Sequence, residues 1–395
     1  PLMRALSDEG YATPTPIQGK AIPILSEGRD LIGIAQTGTG KTAAFALPML
    51  QRLAANAARP QPKSTRALIL APTRELAAQI AEAIRIYGKH LKLRCEVVFG
   101  GVPINRQINR LAPGVDILVA TPGRLVDLWR QKCIRLDAVE IFVLDEADRM
   151  LDMGFIPDVK RITAMLPKHR QTALFSATMP QSIQALSSFL LTDPARVESA
   201  PAATTAERVE QRVLFVPKAN KRAALAGLLR DDSINRVLVF TRTKHGANKV
   251  VKQLDEDGVR ANAIHGNKSQ SAREKALDEF RSGRTTVLVA TDIASRGIDV
   301  DGVTHVINFE LPNEPDSYVH RIGRTARAGA TGIAISLVDS EERGYLRDIE
   351  RLIRQSLVVQ THDYGAISNA PANEDRPFDP NRRPGAGRSR RRRRG

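Results

Sequence analysis

Short apolar runs recur along the chain, each of strand length, each followed by small or polar residues and then by a stretch with helical spacing. Ala67-Leu68-Ile69-Leu70, Ile117-Leu118-Val119, Ile141-Phe142-Val143-Leu144, Val237-Leu238-Val239-Phe240 and Val287-Leu288-Val289 are the clearest. Hydrophobicity within each run is continuous, as a strand covered on both faces requires, whereas alternation would mark a strand with one face in water. Strands of this kind separated by helical segments predict an α/β protein with mostly parallel sheets flanked by helices. Leu118-Val119-Ala120-Thr121 is echoed by Leu288-Val289-Ala290-Thr291, both at a strand end, which hints at two related halves.

The pattern breaks over Ser199-Ala200-Pro201-Ala202-Ala203-Thr204-Thr205-Ala206, a run of small residues with a proline and no periodicity. We read domains at 1–200 and 208–365 joined by a linker at 201–207, a division that suits 395 residues at roughly 150 per domain. From 366 onward Asn, Pro, Gly and Arg dominate, ending in Arg390-Arg391-Arg392-Arg393-Arg394, so a tail without a core is expected over 366–395.

Composition narrows the class. Hydrophobic residues at 42% and charged residues at 26% suit soluble domains with real cores. No stretch approaches the ~18 consecutive apolar residues of a membrane span, so no membrane association is expected. The two cysteines, Cys95 and Cys133, are too few for a disulfide framework and lack zinc-site spacing, which fits a cytoplasmic protein. The sequence opens on Pro1 rather than methionine, so a preceding segment is expected.

The net charge of +16 points to a polyanionic partner. From Pro371 the tail holds nine arginines against three acids, so part of the excess lies there and part in the body. Five consecutive arginines repel one another unless phosphate counters them, and nucleic-acid contact is the expected use of the tail. Aromatic residues are only 4% and form no regular stripe, which argues against base-stacking platforms.

The sharpest chemical signal is Ala35-Gln36-Thr37-Gly38-Thr39-Gly40-Lys41-Thr42, a P-loop pattern after the strand Leu31-Ile32-Gly33-Ile34. Glycines let the backbone wrap close to phosphates, and the helix that follows presents its positive end. Lys41 is expected to reach the β and γ phosphates and Thr42 to face Mg2+. Such a loop needs a carboxylate at the end of another buried strand. Asp145 after Ile141–Leu144 meets that need, leaving Glu146 to orient the attacking water. In His320-Arg321-Ile322-Gly323-Arg324-Thr325-Ala326-Arg327, Arg324 and Arg327 are three apart, so a helix would put them on one face as arginine fingers. They lie across the proposed linker from the P-loop, so hydrolysis would depend on domain closure.

Together these motifs resemble the DEAD-box RNA helicases of superfamily 2. The naming tetrapeptide is Asp145-Glu146-Ala147-Asp148, and Gly10-Tyr11-Ala12-Thr13-Pro14-Thr15-Pro16-Ile17-Gln18 resembles the adenine-reading Q motif. Ser176-Ala177-Thr178 resembles the motif that couples hydrolysis to unwinding, which implies a coupling role for Asp148, Ser176 and Thr178. The resemblance implies RNA contacts at Pro72, Thr73, Arg74, Gly101, Thr121, Pro122, Gly123 and Arg124 in the first half. In the second it implies them at Thr241, Arg242, Gln270, Arg273, Thr291 and Asp292. It further implies ATP contacts at Tyr11, Gln18, Gly297 and Asp299, a catalytic role for His320, and two RecA-like domains. The details around Met150–Phe155 and the basic tail look most like the bacterial RhlE group.

Threonine hydroxyls, guanidiniums and glycine backbone grip phosphate and ribose, so sequence-independent RNA binding is the expectation. Thr73, Thr121 and Thr291 also suit helix N-caps, and an ATP-gated RNA clamp or a DNA helicase would share these motifs. The family's adenine-stacking aromatic lies upstream of the Q motif and before Pro1, which implies weaker ATP binding without it. A monomer is expected, with ribosomal or RNA-decay proteins as candidate partners.

Overall fold

The computed structural model describes residues 1–36, 38–56, 58–199, 209–231, 234–295, 302–326 and 331–365. The strands of the first half are β1 (Leu31–Ile34), β2 (Thr65–Leu70), β3 (Cys95–Val98), β4 (Val115–Ala120), β5 (Ile141–Leu144), β6 (Gln171–Ser176) and β7 (Ala195–Glu198). Those of the second are β8 (Val209–Phe215), β9 (Val237–Phe240), β10 (Ala261–Ile264), β11 (Val287–Ala290), β12 (His305–Asn308), β13 (Gly332–Val338) and β14 (Val358–Val359). They form two separate seven-stranded sheets in which every pairing is parallel.

The first sheet runs β3-β4-β2-β5-β6-β1-β7 and the second β10-β11-β9-β12-β13-β8-β14. Counted from its own first strand, the second order is the same as the first, so the chain repeats one RecA-like topology. The echoed tetrapeptides fall on equivalent strands, β4 and β11, and their threonines follow the strand ends.

The continuous apolar runs are explained by burial on both faces. Along β2, Ala67 and Ile69 join one apolar layer while Leu68 and Leu70 join the other. In the second sheet, Leu238 and Phe240 of β9 pack in one layer and Val237 and Val239 in the opposite one. Helices supply the covering surface, and their N-termini meet the carboxyl ends of the strands, where open α/β sheets place ligands. The helix Arg74–Tyr87 after β2 starts at Thr73, whose hydroxyl accepts from the Leu76 amide at 3.3 Å. The helix Lys244–Glu256 after β9 starts at Thr243, which accepts from the Gly246 amide at 3.0 Å. The same cap therefore marks the same place in both halves.

The proposed linker 201–207 and tail 366–395 lie outside the described residues. No helix among the described residues is long and apolar enough to cross a membrane.

Candidate active site and cleft

At the end of β1 the chain turns through Ala35 and Gln36, then Gly38, Thr39 and Gly40, into the helix Lys41–Ala55. Gly40 has φ +92°, a left-handed conformation at the helix N-cap that a side chain would strain. A Cβ there would also collide with the Gln18 amide. Gln18, nearly fully buried, accepts from the Thr15 amide at 2.9 Å and donates through Nε2 to the Gly40 carbonyl at 3.2 Å. The expected adenine reader is thus tied to the phosphate loop itself. Lys41 is buried, and its Nζ donates to the Ala35 carbonyl at 3.0 Å across the loop. The Thr39 hydroxyl donates to the Gln36 carbonyl at 2.7 Å, and Thr42 follows Lys41 in the first helical turn. Thr37 lies outside the described residues.

Asp145 and Glu146 directly follow β5, which lies between β2 and β6. Both are buried, and Glu146 holds a left-handed φ of +54° unusual for a residue with a side chain. Burial pushes the Asp145 carboxyl up to about 6, opposed by the Lys41 ammonium and reinforced by the Glu146 charge. Glu146 is paired with the buried Arg149 one helical turn on. Asp148 is a junction. Its Oδ2 accepts from the Ala177 amide at 3.1 Å, the Thr178 amide at 2.9 Å and the Thr178 hydroxyl at 3.2 Å, while its own amide donates to Ser176 Oγ at 3.2 Å. Asp148, Ser176 and Thr178 are therefore brought together, and the hydrogen bonds tie the carboxylate strand end to the end of β6.

The first-half residues expected at RNA converge on a cleft of about 450 Å³. Pro72, Thr73, Arg74, Thr121, Gly123 and Arg124 line it from one side, and Arg273 and Lys268 from the other. Pro122 is buried at the first turn of the helix Pro122–Arg130. Thr121 occupies the N-cap of that helix with no side-chain cap bond, whereas the Thr73 hydroxyl is spent on capping. Arg74 lies against Gly101, whose φ of +76° and missing side chain leave room for the guanidinium. Desolvation lowers the Arg74 pKa from its usual value. The two halves touch here: Arg74 Nη1 donates to Gln270 Oε1 at 3.3 Å, and Arg273 meets Glu75 Oε1 at 2.7 Å.

In the second half, Thr241 and Arg242 follow β9 and Thr291 and Asp292 follow β11, so these residues gather at the carboxyl edge of the sheet. Two of the expected site residues are engaged within the protein. Asp292 is held by Arg321, which grips its two oxygens at 2.6 and 2.8 Å while also donating to Asn308 and to the Glu310 carbonyl. Its carboxylate is engaged inside the protein. Arg324 is not on a helical face, because the helix Pro315–Ile322 ends at Gly323 and Arg324 follows in a turn, buried, with its Nε donating to the His320 carbonyl at 3.3 Å. Arg327, Gly297 and Asp299 lie outside the described residues.

The Tyr11 ring packs edge-on to Tyr87, and the hydroxyls are 2.8 Å apart. Sequence reasoning did not single out Glu75, Arg149 or Arg321 for a role. The i,i+3 spacing from Glu146 could have flagged Arg149, but the partners of Glu75 and Arg321 are 198 and 29 residues away and left no local signal.

A phosphate loop facing a buried carboxylate pair, on the first of two repeated parallel sheets with a shared basic cleft, defines a tandem RecA-like P-loop protein. The profile of the DEAD/DEAH box helicases matches residues 15–186, and that of the helicase conserved C-terminal domain matches 220–329. RNA helicase CrhR of Synechocystis is 46% identical over 358 residues, covering 90% of this chain and 71% of that protein. The DEAD-box ATP-dependent RNA helicase CshA of Bacillus cereus is 43% identical, covering 90% and 67%. The chain belongs to the DEAD-box RNA helicase family. Among solved structures, S. cerevisiae Dbp5 bound to RNA and ADP BeF3 aligns with a TM-score of 0.82 at 33% identity, over 91% of this chain and 93% of that one. A DEAD box protein from Methanococcus jannaschii aligns with 0.53 at 38% identity, over 91% and 96%.

Proposed function

We propose that the protein is an ATP-dependent RNA helicase whose ATP hydrolysis is stimulated by RNA and coupled to domain closure that separates short duplexes or remodels RNA–protein complexes. The observation that carries this reading is the cleft that both halves line with arginine, threonine and glycine, beside the Arg74–Gln270 and Glu75–Arg273 contacts that join them. A cleft of this chemistry grips phosphate and ribose, and it exists only while the halves are together. The likeness to RNA-bound Dbp5 supports the same arrangement, since the M. jannaschii protein aligns less well despite higher identity.

Within this reading each site residue takes a role. Gln18 reads the adenine edge, and its hydrogen bond to Gly40 reports that contact to the loop. Lys41 exchanges the Ala35 carbonyl for phosphate oxygens. Glu146 orients the water and accepts its proton, steadied by Arg149. Mg2+ suits Thr42 and Asp145, because the Asp145 carboxylate is buried with its charge incompletely matched, and there it would neutralise phosphate charge. Arg324 and Arg327 complete the site from the second half, Gly297 and Asp299 meet the ribose, and His320 supports the fingers. Asp148 passes the state of the nucleotide to Ser176 and Thr178. The arginine-rich tail adds salt-sensitive phosphate contacts. Membership of the RhlE group, action as a cytoplasmic monomer, and ribosomal or RNA-decay partners complete this reading.

Steady-state ATP hydrolysis with single-stranded RNA, equal-length DNA and the Glu146→Gln variant tests it. RNA-specific stimulation that the variant loses supports the reading. Intact RNA binding with no stimulation would overturn it in favour of a clamp.

A further inference from the structure

The repeated topology gives the phosphate-site lysine a counterpart. Lys41 opens the helix after β1, and Lys221 opens the helix Lys221–Leu228 after β8, the strand in the same place of the second sheet. Their surroundings are opposite. Lys41 faces a loop carbonyl, whereas Lys221, buried to the same degree as a core side chain, meets Asp339 Oδ2 at 3.2 Å, the Phe309 carbonyl at 3.2 Å and the carboxylate of Glu342. Where the first half keeps a lysine for a ligand's phosphate, the second supplies its own anions.

The filled site has an output. Glu342, fully buried, accepts the Leu311 amide on Oε1 at 3.0 Å and with the same oxygen lies 3.4 Å from Arg242 Nη2. Asn313 Oδ1 at 3.4 Å and the Tyr345 ring at 5.7 Å bound the guanidinium on other sides. The Arg242 amide donates to Glu310 Oε2 at 2.7 Å, and Glu310 stands two residues past β12 as Glu146 stands two past β5. Arg242 stays partly exposed at the sheet's carboxyl edge.

We propose that Lys221 and Glu342 are positioning residues for RNA binding: the second half's copy of the nucleotide site is closed by internal carboxylates and works as a rigid mount that aims Arg242 at an RNA phosphate. Lys221 fixes Glu342, Glu342 fixes the guanidinium, and the preorganised fork binds with less ordering cost than a free side chain. The inference rests on the reading of Arg242 as an RNA contact.

The experiment measures the RNA concentration for half-maximal ATPase and the kcat at saturating RNA. Glu342→Gln is expected to raise the first about tenfold, the scale of one charge-assisted contact, with kcat retained. Arg242→Ala is expected to raise the same RNA concentration about tenfold, and the double variant to add nothing further, a non-additivity that a general loss of stability would not produce. If Glu342→Gln fails to fold, Lys221→Met with Glu342→Leu and Asp339→Asn replaces the buried triad by uncharged side chains, an exchange that often preserves the fold, and the same rise is expected. A rise in Arg242→Ala alone, or additive effects, overturns the mount. A silent Arg242→Ala overturns the reading of Arg242 and the mount with it.

Discussion

Glu75 and Arg273 belong to different sheets, 198 residues apart, and their side chains meet at 2.7 Å with both largely buried. Each leaves an unpaired charge when the halves separate, so the pair favours the joined state only if its geometry repays the desolvation. Glu75→Arg and Arg273→Glu are each expected to lower RNA-stimulated kcat at least about tenfold, and the exchanged double variant to recover part of it. A double-mutant cycle on kcat checks this, and additive losses would refute the coupling.

Asp145 is expected to limit stability. Its carboxyl is raised to about 6 by burial, above the unfolded value, so ionising it opposes folding fully above that pH, and the penalty fades as the pH falls toward the unfolded pKa. Asp145→Asn should therefore raise the Tm at pH 7.5, by ~1–3 kcal/mol of stability, while abolishing turnover. The gain should shrink between pH 6 and 4. Thermal melts of both proteins across that range decide it, and a pH-independent difference would refute the assignment.

Asp148→Ala leaves the donors of Ala177 and Thr178 without their acceptor. A stability loss of about 1–3 kcal/mol is expected from the unmet groups. The larger effect is expected on the number of duplexes opened per ATP hydrolysed, which should fall while RNA-stimulated hydrolysis persists. Parallel unwinding and ATPase assays measure that ratio.

Asp292→Asn separates a structural role from an RNA contact. With Arg321 gripping both oxygens, the variant is expected to lose about 2–4 kcal/mol of stability by denaturant unfolding. The dependence of RNA affinity on salt concentration should keep its slope. A changed slope with unchanged stability would return Asp292 to the RNA surface.

Much of this was legible because the chemistry is local. The glycines of the phosphate loop, Lys41 and the carboxylates after β5 are fixed by spacing within a strand, a turn and a helix start. Arg324 was misplaced onto a helix because spacing of three fits helices generally, and the glycine before it ends this one. Asp292 sits at a strand end where ligands gather, and only its distant partner Arg321 shows where its charge goes.

By itself the sequence determined the class, the two-fold repetition of strand signals and the phosphate loop, since apolar periodicity and backbone-driven motifs act over a few residues, while the candidate RNA residues came from the resemblance to the DEAD-box family. Only the tertiary structure decided which charges are engaged inside the protein, how Asp148 reaches Ser176 and Thr178, and that Glu75 meets Arg273. Those partners are chosen by strand order and by the packing of two halves, and neither is written in any stretch of the chain shorter than the fold.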